Sequence, residues 1–301
     1  TATDGSYVET TAPTSYDQVA SGDWSMYGVV YNAADGDLEL SGGTFNAFDV
    51  STAVYSQNFS VSAQEVSPSE ISFNNDGTKM FILGYSGDDV NEYILSTAFD
   101  ISTASFVDSF SVAAQETIPK GMSFNTDGTK MFIVGGSANV VYEYTLSTGF
   151  DVSTASYSSN SFSVASQETD PTGITFNNAG TKMYIIGTSG DDVNEYTLSS
   201  GFNISTASYS QNFSVAAQET SPRGLVFNLD GTKMFIIGTS GQDVNEYTLS
   251  TGFDISTSTY SKNFSISAQE TDPQGLAFNS DGTKMFIVGA SGDDVNEYNV
   301  G

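Results

Sequence analysis

The stretch Pro222-Arg223-Gly224-Leu225-Val226-Phe227-Asn228-Leu229-Asp230-Gly231-Thr232-Lys233-Met234-Phe235-Ile236-Ile237, continued by Gly238-Thr239-Ser240-Gly241-Gln242-Asp243-Val244-Asn245-Glu246-Tyr247-Thr248-Leu249, decides the fold. Gly224 to Asn228 reads as a short strand ended by an Asp-Gly turn. Lys233 to Ile237 is apolar on both faces, as a strand sandwiched inside a sheet must be. Ser240-Gly241-Gln242-Asp243 is turn chemistry, and Val244 to Leu249 is a third strand. Upstream, Tyr209, Gln211, Phe213, Val215 and Ala217 alternate with polar residues, which marks a fourth strand with one buried face. No window sustains a 3.6-residue period.

This unit recurs. Asp-Gly-Thr-Lys-Met stands at 76–80, 127–131, 230–234 and 281–285, with Ala-Gly-Thr-Lys-Met at 179–183, so its glycines are spaced 51, 52, 51 and 51 residues apart. Four antiparallel strands repeating at about 50 residues mark a β-propeller blade. The prolines count the units: Pro13, Pro68, Pro119, Pro171, Pro222 and Pro273 each occupy the same place. Glu9-Thr10 before Pro13 echoes Glu219-Thr220 before Pro222, Gly22 sits where Gly231 sits, and Ser25-Met26-Tyr27 matches Lys233-Met234-Phe235. The expectation is therefore an all-β, six-bladed propeller of four-stranded blades forming a single domain over 1–301. Its divergent first blade is 13–67, and the repeats are 68–118, 119–170, 171–221, 222–272 and 273–301. The last repeat ends after its third strand, and an outer strand within 1–12 (Gly5 to Thr10) is expected to close it. The alternative is five blades with an N-terminal head, closed by a strand in 53–64.

Composition excludes whole classes of function. The 301 residues hold no Cys and no His, so disulfides, thiolate nucleophiles, Cys-based zinc and a Ser-His-Asp triad are all ruled out. Eight Lys and Arg against 36 Asp and Glu give a net charge of −28. That balance argues against nucleic acid, whose phosphates require cations. No run of 18 apolar residues predicts membrane insertion. The chain opens at Thr1 with no charged-then-apolar leader, which reads as a processed chain or a fragment.

The segment Pro-x-Gly-Leu-x-Phe-Asn-x-Asp-Gly-Thr-Lys-Met-Phe-Ile resembles YVTN/NHL-like propeller repeats. The whole unit, with its Ser-Gly-Asp-Asp-Val-Asn-Glu-Tyr and Phe-Asp-Ile-Ser-Thr-Ala-Ser segments, is similar to tandem repeats of marine bacteriophage virion proteins and bacterial surface proteins. The resemblance covers residues 53–301. It implies the propeller fold and, beyond it, a binding or structural role at an extracellular or virion surface.

Three features invite chemistry. Asp-Gly-Thr-Lys reads first as a hairpin turn, with Lys79, Lys130, Lys182, Lys233 and Lys284 offsetting neighbouring Asp residues. The Ser-Gly-Asp-Asp loops bring Asp88 and Asp89, Asp191 and Asp192, and Asp293 and Asp294 into view as weak Ca²⁺ candidates, because hard cations take carboxylate oxygens. Their spacing departs from a dedicated calcium loop, so no cofactor is expected beyond possible Ca²⁺. Finally, positions that differ between near-identical blades are where a ring acquires recognition. The residue after each proline reads Thr14, Ser69, Lys120, Thr172, Arg223 and Gln274. The residue before it also varies (Ser67, Ile118, Asp170, Ser221, Asp272), as does a neighbouring loop at Tyr85, Gly136, Thr188, Thr239 and Ala290.

These readings predict a non-catalytic module binding a glycan or surface protein through Ser69, Lys120, Thr172, Arg223, Gln274 and Tyr85 on one face. The competing reading is a structural subunit that self-associates in a fibre or virion through Trp24, Met26, Tyr27 and Tyr31. A carboxylate-based glycan-active enzyme stands third, since paired acids can cleave glycosides.

Overall fold

The computed structural model describes residues 27–32, 37–42 and 47–301. The chain divides into two compact units, Thr1–Phe45 and Asn46–Gly301. In the first, Tyr27–Asn32 and Asp37–Gly42 form an antiparallel two-stranded sheet.

The second unit is a β-propeller of five four-stranded antiparallel blades. The first blade runs outward through Pro68–Phe73, Lys79–Gly84, Asp89–Leu95 and Ala104–Ser111. The second comprises Pro119–Phe124, Lys130–Gly135, Val140–Leu146 and Ala155–Ser163, and the third Pro171–Phe176, Lys182–Gly187, Asp192–Leu198 and Ala207–Ser214. The fourth comprises Pro222–Phe227, Lys233–Gly238, Asp243–Leu249 and Ser258–Ser265. The fifth takes Pro273–Phe278, Lys284–Gly289 and Asp294–Asn299, and its outer strand is Val54–Ser60.

The expected six blades are thus corrected to five. The edge of the last repeat is filled by Val54–Ser60, in the register Asp294↔Ser60, Val295↔Phe59, Glu297↔Gln57 and Tyr298↔Tyr55. That register, with its irregularity between Glu297 and Tyr298, reproduces the pairing of Asp243–Leu249 with Ser258–Ser265. With that edge taken, the closing strand expected within 1–12 has no place in the ring, and 13–67 is not a blade. Residues 1–12, Pro13, Thr14, Trp24 and Met26 lie outside the described residues.

Burial follows position in the blade. The second strand is buried at every residue after its lysine, while the outer strand alternates between exposed and half-buried. Apolar residues from adjacent blades make common clusters: Phe235 and Ile237 pack with Leu276, Met285 and Ile287, and Phe286 and Val288 pack with Ile71 and Met80. The hairpin between first and second strands depends on Asn more than on Asp. Asn228 Oδ1 accepts from Lys233 N (2.9 Å), and Asn177 does the same for Lys182 (3.0 Å) in the blade where Ala179 replaces the Asp. Gly231 sits at φ 70°, and the Phe253 ring occupies the space a Cβ there would need.

The lysines of this turn do not offset the turn's own Asp residues. Each pairs with a buried glutamate on the third strand: Lys79 with Glu92 (2.7 Å), Lys130 with Glu143, Lys182 with Glu195, Lys233 with Glu246 (3.3 Å) and Lys284 with Glu297. The same ammonium groups donate to carbonyls of the next blade, for example Lys79 to Phe150 O (2.6 Å) and Lys284 to Phe99 O (2.8 Å). Each Lys–Glu pair therefore staples one blade to its neighbour.

Removing one partner of such a pair strands a buried charge. Lys233→Ala is expected to lower urea-unfolding stability by about 3 kcal/mol. Lys262→Ala, which breaks the more exposed Lys262–Asp49 pair (2.8 Å), should cost under about 1 kcal/mol. A chain beginning at Asn46 keeps every propeller strand and should unfold in one transition. A chain beginning at Gln64 leaves the Asp294–Asn299 edge open and should aggregate on size-exclusion chromatography.

Candidate functional site at the mouth of the ring

The inner strands run from one mouth of the ring, where Pro68, Pro119, Pro171, Pro222 and Pro273 enter, to the opposite mouth. Halfway along they approach backbone to backbone. A Cβ placed on Gly121 would lie 2.7 Å from Gly173 Cα, and one on Gly173 would lie 3.0 Å from Arg223 O. The four glycines Gly121, Gly173, Gly224 and Gly275 thus form a waist that divides the axis into two cavities.

The cavity at the entry mouth has a volume of about 330 Å³. It is lined by Ser69, Lys120, Thr172, Arg223, Gln274 and Tyr85, together with Ser67, Ile118, Asp272 and Ala290. The six residues singled out as a recognition set therefore share one cavity.

Their roles in it differ. Ser69 and Thr172 are buried, and their hydroxyls are committed to the ring. Ser69 Oγ donates to Leu83 O (3.3 Å) or Pro119 O (3.1 Å), and Thr172 Oγ1 to Ile186 O (3.3 Å) or Pro222 O (3.0 Å). The longer side chains rise above them. Lys120 pairs with Asp170, whose Oδ2 accepts from Thr188 Oγ1 (2.6 Å). Gln274 Nε2 donates to Asp272 Oδ1 (2.6 Å). Tyr85 is 50% exposed at the rim. Burial pushes the Asp170 carboxyl up, but hydrogen bonds from Lys120 and Thr188 and the charges of Lys120 and Arg223 outweigh it and hold it below the ordinary carboxylate value.

Arg223 stands apart. Among the described residues, all seven lysines are in ion pairs and Arg223 is in none. Its Nε is buried without a hydrogen-bond partner. An unsatisfied buried donor on a fixed positive charge is costly unless something fills it.

Two contributors escaped sequence reading. The glutamates of the repeated Gln-Glu pair, Glu65, Glu116, Glu168, Glu219 and Glu270, are buried clips. Glu219 Oε1 accepts from Ser221 N (2.7 Å) and Ser240 N (3.1 Å), and Oε2 from Gly241 N (2.9 Å). Each clip locks the loop before the proline to the loop between the second and third strands, which are the loops carrying the variable residues. Their presence in all five repeats was the available signal. The other is Glu70, which stands where four blades have the waist glycine. It is 5% exposed, and its Oε1 accepts from Ile71 N (3.0 Å). Burial pushes its carboxyl well above the ordinary value, against the opposing hydrogen bonds from the Ile71 and Leu276 amides.

The Ca²⁺ candidates are not brought together. Asp89 Oδ1 accepts from Asn91 (2.7 Å), Asp192 accepts from Asn194 and Asn212, and Asp294 accepts from Asn296 and Asn58. Asp88, Asp191 and Asp293 sit at φ 48–50° in the preceding turn position. Among the described residues no three acidic side chains converge on a common point. Likewise, no described helix is long and apolar enough to cross a membrane.

No family model matches the sequence, and a search of curated proteins finds no match. Solved structures similar to the chain include a putative 6-phosphogluconolactonase from Bacteroides uniformis (13% identity, TM-score 0.49, covering 76% of this chain). The chain spans 65% of that protein's length. The β-propeller domain of Cps50 (Swd1) from Myceliophteria thermophila has 7% identity and a TM-score of 0.47, with 83% of this chain and all of that one covered. A luciferin-regenerating enzyme has 11% identity and a TM-score of 0.49, covering 81% and 94%. Likeness at this level concerns the propeller fold alone.

The raised Glu70 carboxyl gives a signed pH test. The folded chain keeps a proton that the unfolded chain releases above the ordinary value of 4.5, so Glu70 erodes stability as pH rises through that value toward its folded pKa. Glu70→Gln removes this loss. Its melting temperature relative to the parent should therefore climb between pH 4 and pH 8, and a pH-independent difference would refute the assignment.

Proposed function

We propose that the protein is a non-catalytic binding module that holds an acidic glycan at the entry mouth of its propeller, in an extracellular or virion-surface setting. The observation that carries this is Arg223, the one cation without an ion pair among the described residues, at a cavity whose lining varies between near-identical blades. A guanidinium recognises a carboxylate through two parallel hydrogen bonds, which suits a uronic or similar acidic sugar. The cavity of about 330 Å³ is of small-ligand size. Tyr85 offers an exposed aromatic face for the apolar side of a sugar ring, and Lys120 and Gln274 add donors at the rim. The resemblance of the repeat to YVTN/NHL-like and to virion and surface repeats supports that setting.

A binding role is favoured over glycoside hydrolysis because the third-strand glutamates, the most regular acids of the blades, are held by lysines in every blade. A general acid and its partner need to be free to exchange protons.

A glycan array pairing carboxylated with neutral oligosaccharides should give signals confined to the carboxylated members. Arg223→Ala should weaken these by roughly tenfold or more, the scale of a lost charge-assisted hydrogen bond. Lys120→Ala should weaken them less, because Lys120 already has Asp170. Equal binding of neutral glycans, or binding indifferent to Arg223, would overturn the reading.

A further inference from the structure

Beyond the waist lies a second cavity, of about 440 Å³, at the opposite mouth. It shares no lining residue with the first. Glu70 sits at its inner end and is the one ionisable side chain in its wall. The inner-strand phenylalanines Phe73, Phe176, Phe227 and Phe278 contribute to the wall. At the strand position two residues beyond the waist, Ser72, Ser123 and Thr175 of three successive blades bring hydroxyls to the wall, and Val226 and Ala277 stand there in the other two.

This arrangement breaks the repeat where a scaffold would not. Four blades have glycine at the waist, and there a Cβ would crowd the neighbouring inner strand or the second strand of its own blade. Only the first blade inserts a side chain at this level, and that side chain is an acid. No lysine reaches it, since all seven are paired elsewhere, and Arg223 lines the other cavity. A buried carboxyl without a counter-charge is an expensive feature unless something recovers the cost.

From this geometry we infer a second ligand site, in which the Glu70 cavity takes a small organic amine in its protonated form. The ammonium would pair with the Glu70 carboxylate and donate to the hydroxyls of Ser72, Ser123 and Thr175. Its apolar flank would lie against Val226 and Ala277. The wall holds one carboxyl and no cationic side chain, so it favours an ammonium over a neutral isostere or an anion. In the empty cavity burial favours the neutral acid, and an adjacent positive charge shifts the balance to the carboxylate.

The test uses the full chain and benzylamine as the probe, with benzyl alcohol as the neutral counterpart and phenylacetate as the anionic one, titrated by calorimetry at constant ionic strength and pH 7.5. Benzylamine should bind saturably, while the alcohol and the acid bind at least about tenfold more weakly. Glu70→Gln should weaken benzylamine by at least about tenfold, and so should Glu70→Gly, which installs the residue the other four blades carry. Arg223→Ala should leave benzylamine binding unchanged, which separates this site from the acidic-glycan site. Absence of benzylamine binding at 20 mM would overturn the inference, as would equal binding of benzyl alcohol or unaltered affinity in both Glu70 variants.

Discussion

At the axis of the ring the inner strands meet with no room for a Cβ, and the rest of the molecule is arranged around that contact. Gly121, Gly173, Gly224 and Gly275 bring the strands together, and each blade fans outward from there. The contact turns the axis into two separate cavities with unlike walls, one carrying Arg223 and the other ending at Glu70. Because the waist tolerates so little, a single departure from glycine changes the chemistry of a whole cavity.

The net charge of −28 acquires a structure in this frame. Much of the acid is internal and assigned to work in the scaffold. One glutamate per blade clips two loops through backbone amides, and one pairs with the turn lysine. Five of the seven lysines are absorbed by these staples and the other two pair with aspartates, which is why Arg223, without an ion pair among the described residues, stands out in a protein so poor in cations. A long-range negative field would slow the approach of an acidic ligand, so the recognition proposed there would rest on local, desolvated contacts rather than on steering.

Much of this was legible in the sequence. The 51-residue period, the strand order within a blade and the hairpin at Asp-Gly-Thr-Lys are all local patterns, and they survive folding intact. The blade number was not legible from prolines, because Pro13 mimics the repeat's local sequence while the ring closes on five blades with Val54–Ser60 as its last edge. The better signal was Tyr55-Ser56-Gln57-Asn58-Phe59-Ser60, identical to Tyr209-Ser210-Gln211-Asn212-Phe213-Ser214, the outer strand of the third blade. The gathering of Ser69, Lys120, Thr172, Arg223, Gln274 and Tyr85 in one cavity followed from ring symmetry. That Ser69 and Thr172 point their hydroxyls into the ring did not, since it depends on which carbonyl of the next blade lies in reach. Glu70 was in plain sight as the one non-glycine in the Pro-x-Gly series of the five full repeats, but its burial is a tertiary fact.

Closure by Val54–Ser60 also sets an order in time. This strand is among the first parts of the propeller to be made, and its partner Asp294–Asn299 is the last. Four blades are assembled from hairpins close in sequence and can form as the chain emerges, whereas the fifth joins residues such as Gln57 and Glu297, 240 positions apart. Until synthesis reaches that point, the first strand waits with its backbone edge and Tyr55 unpaired. On a crowded message, the same strand from a neighbouring nascent chain fits the same open edge, so the distance between ribosomes bears on whether rings close alone or exchange their clasps.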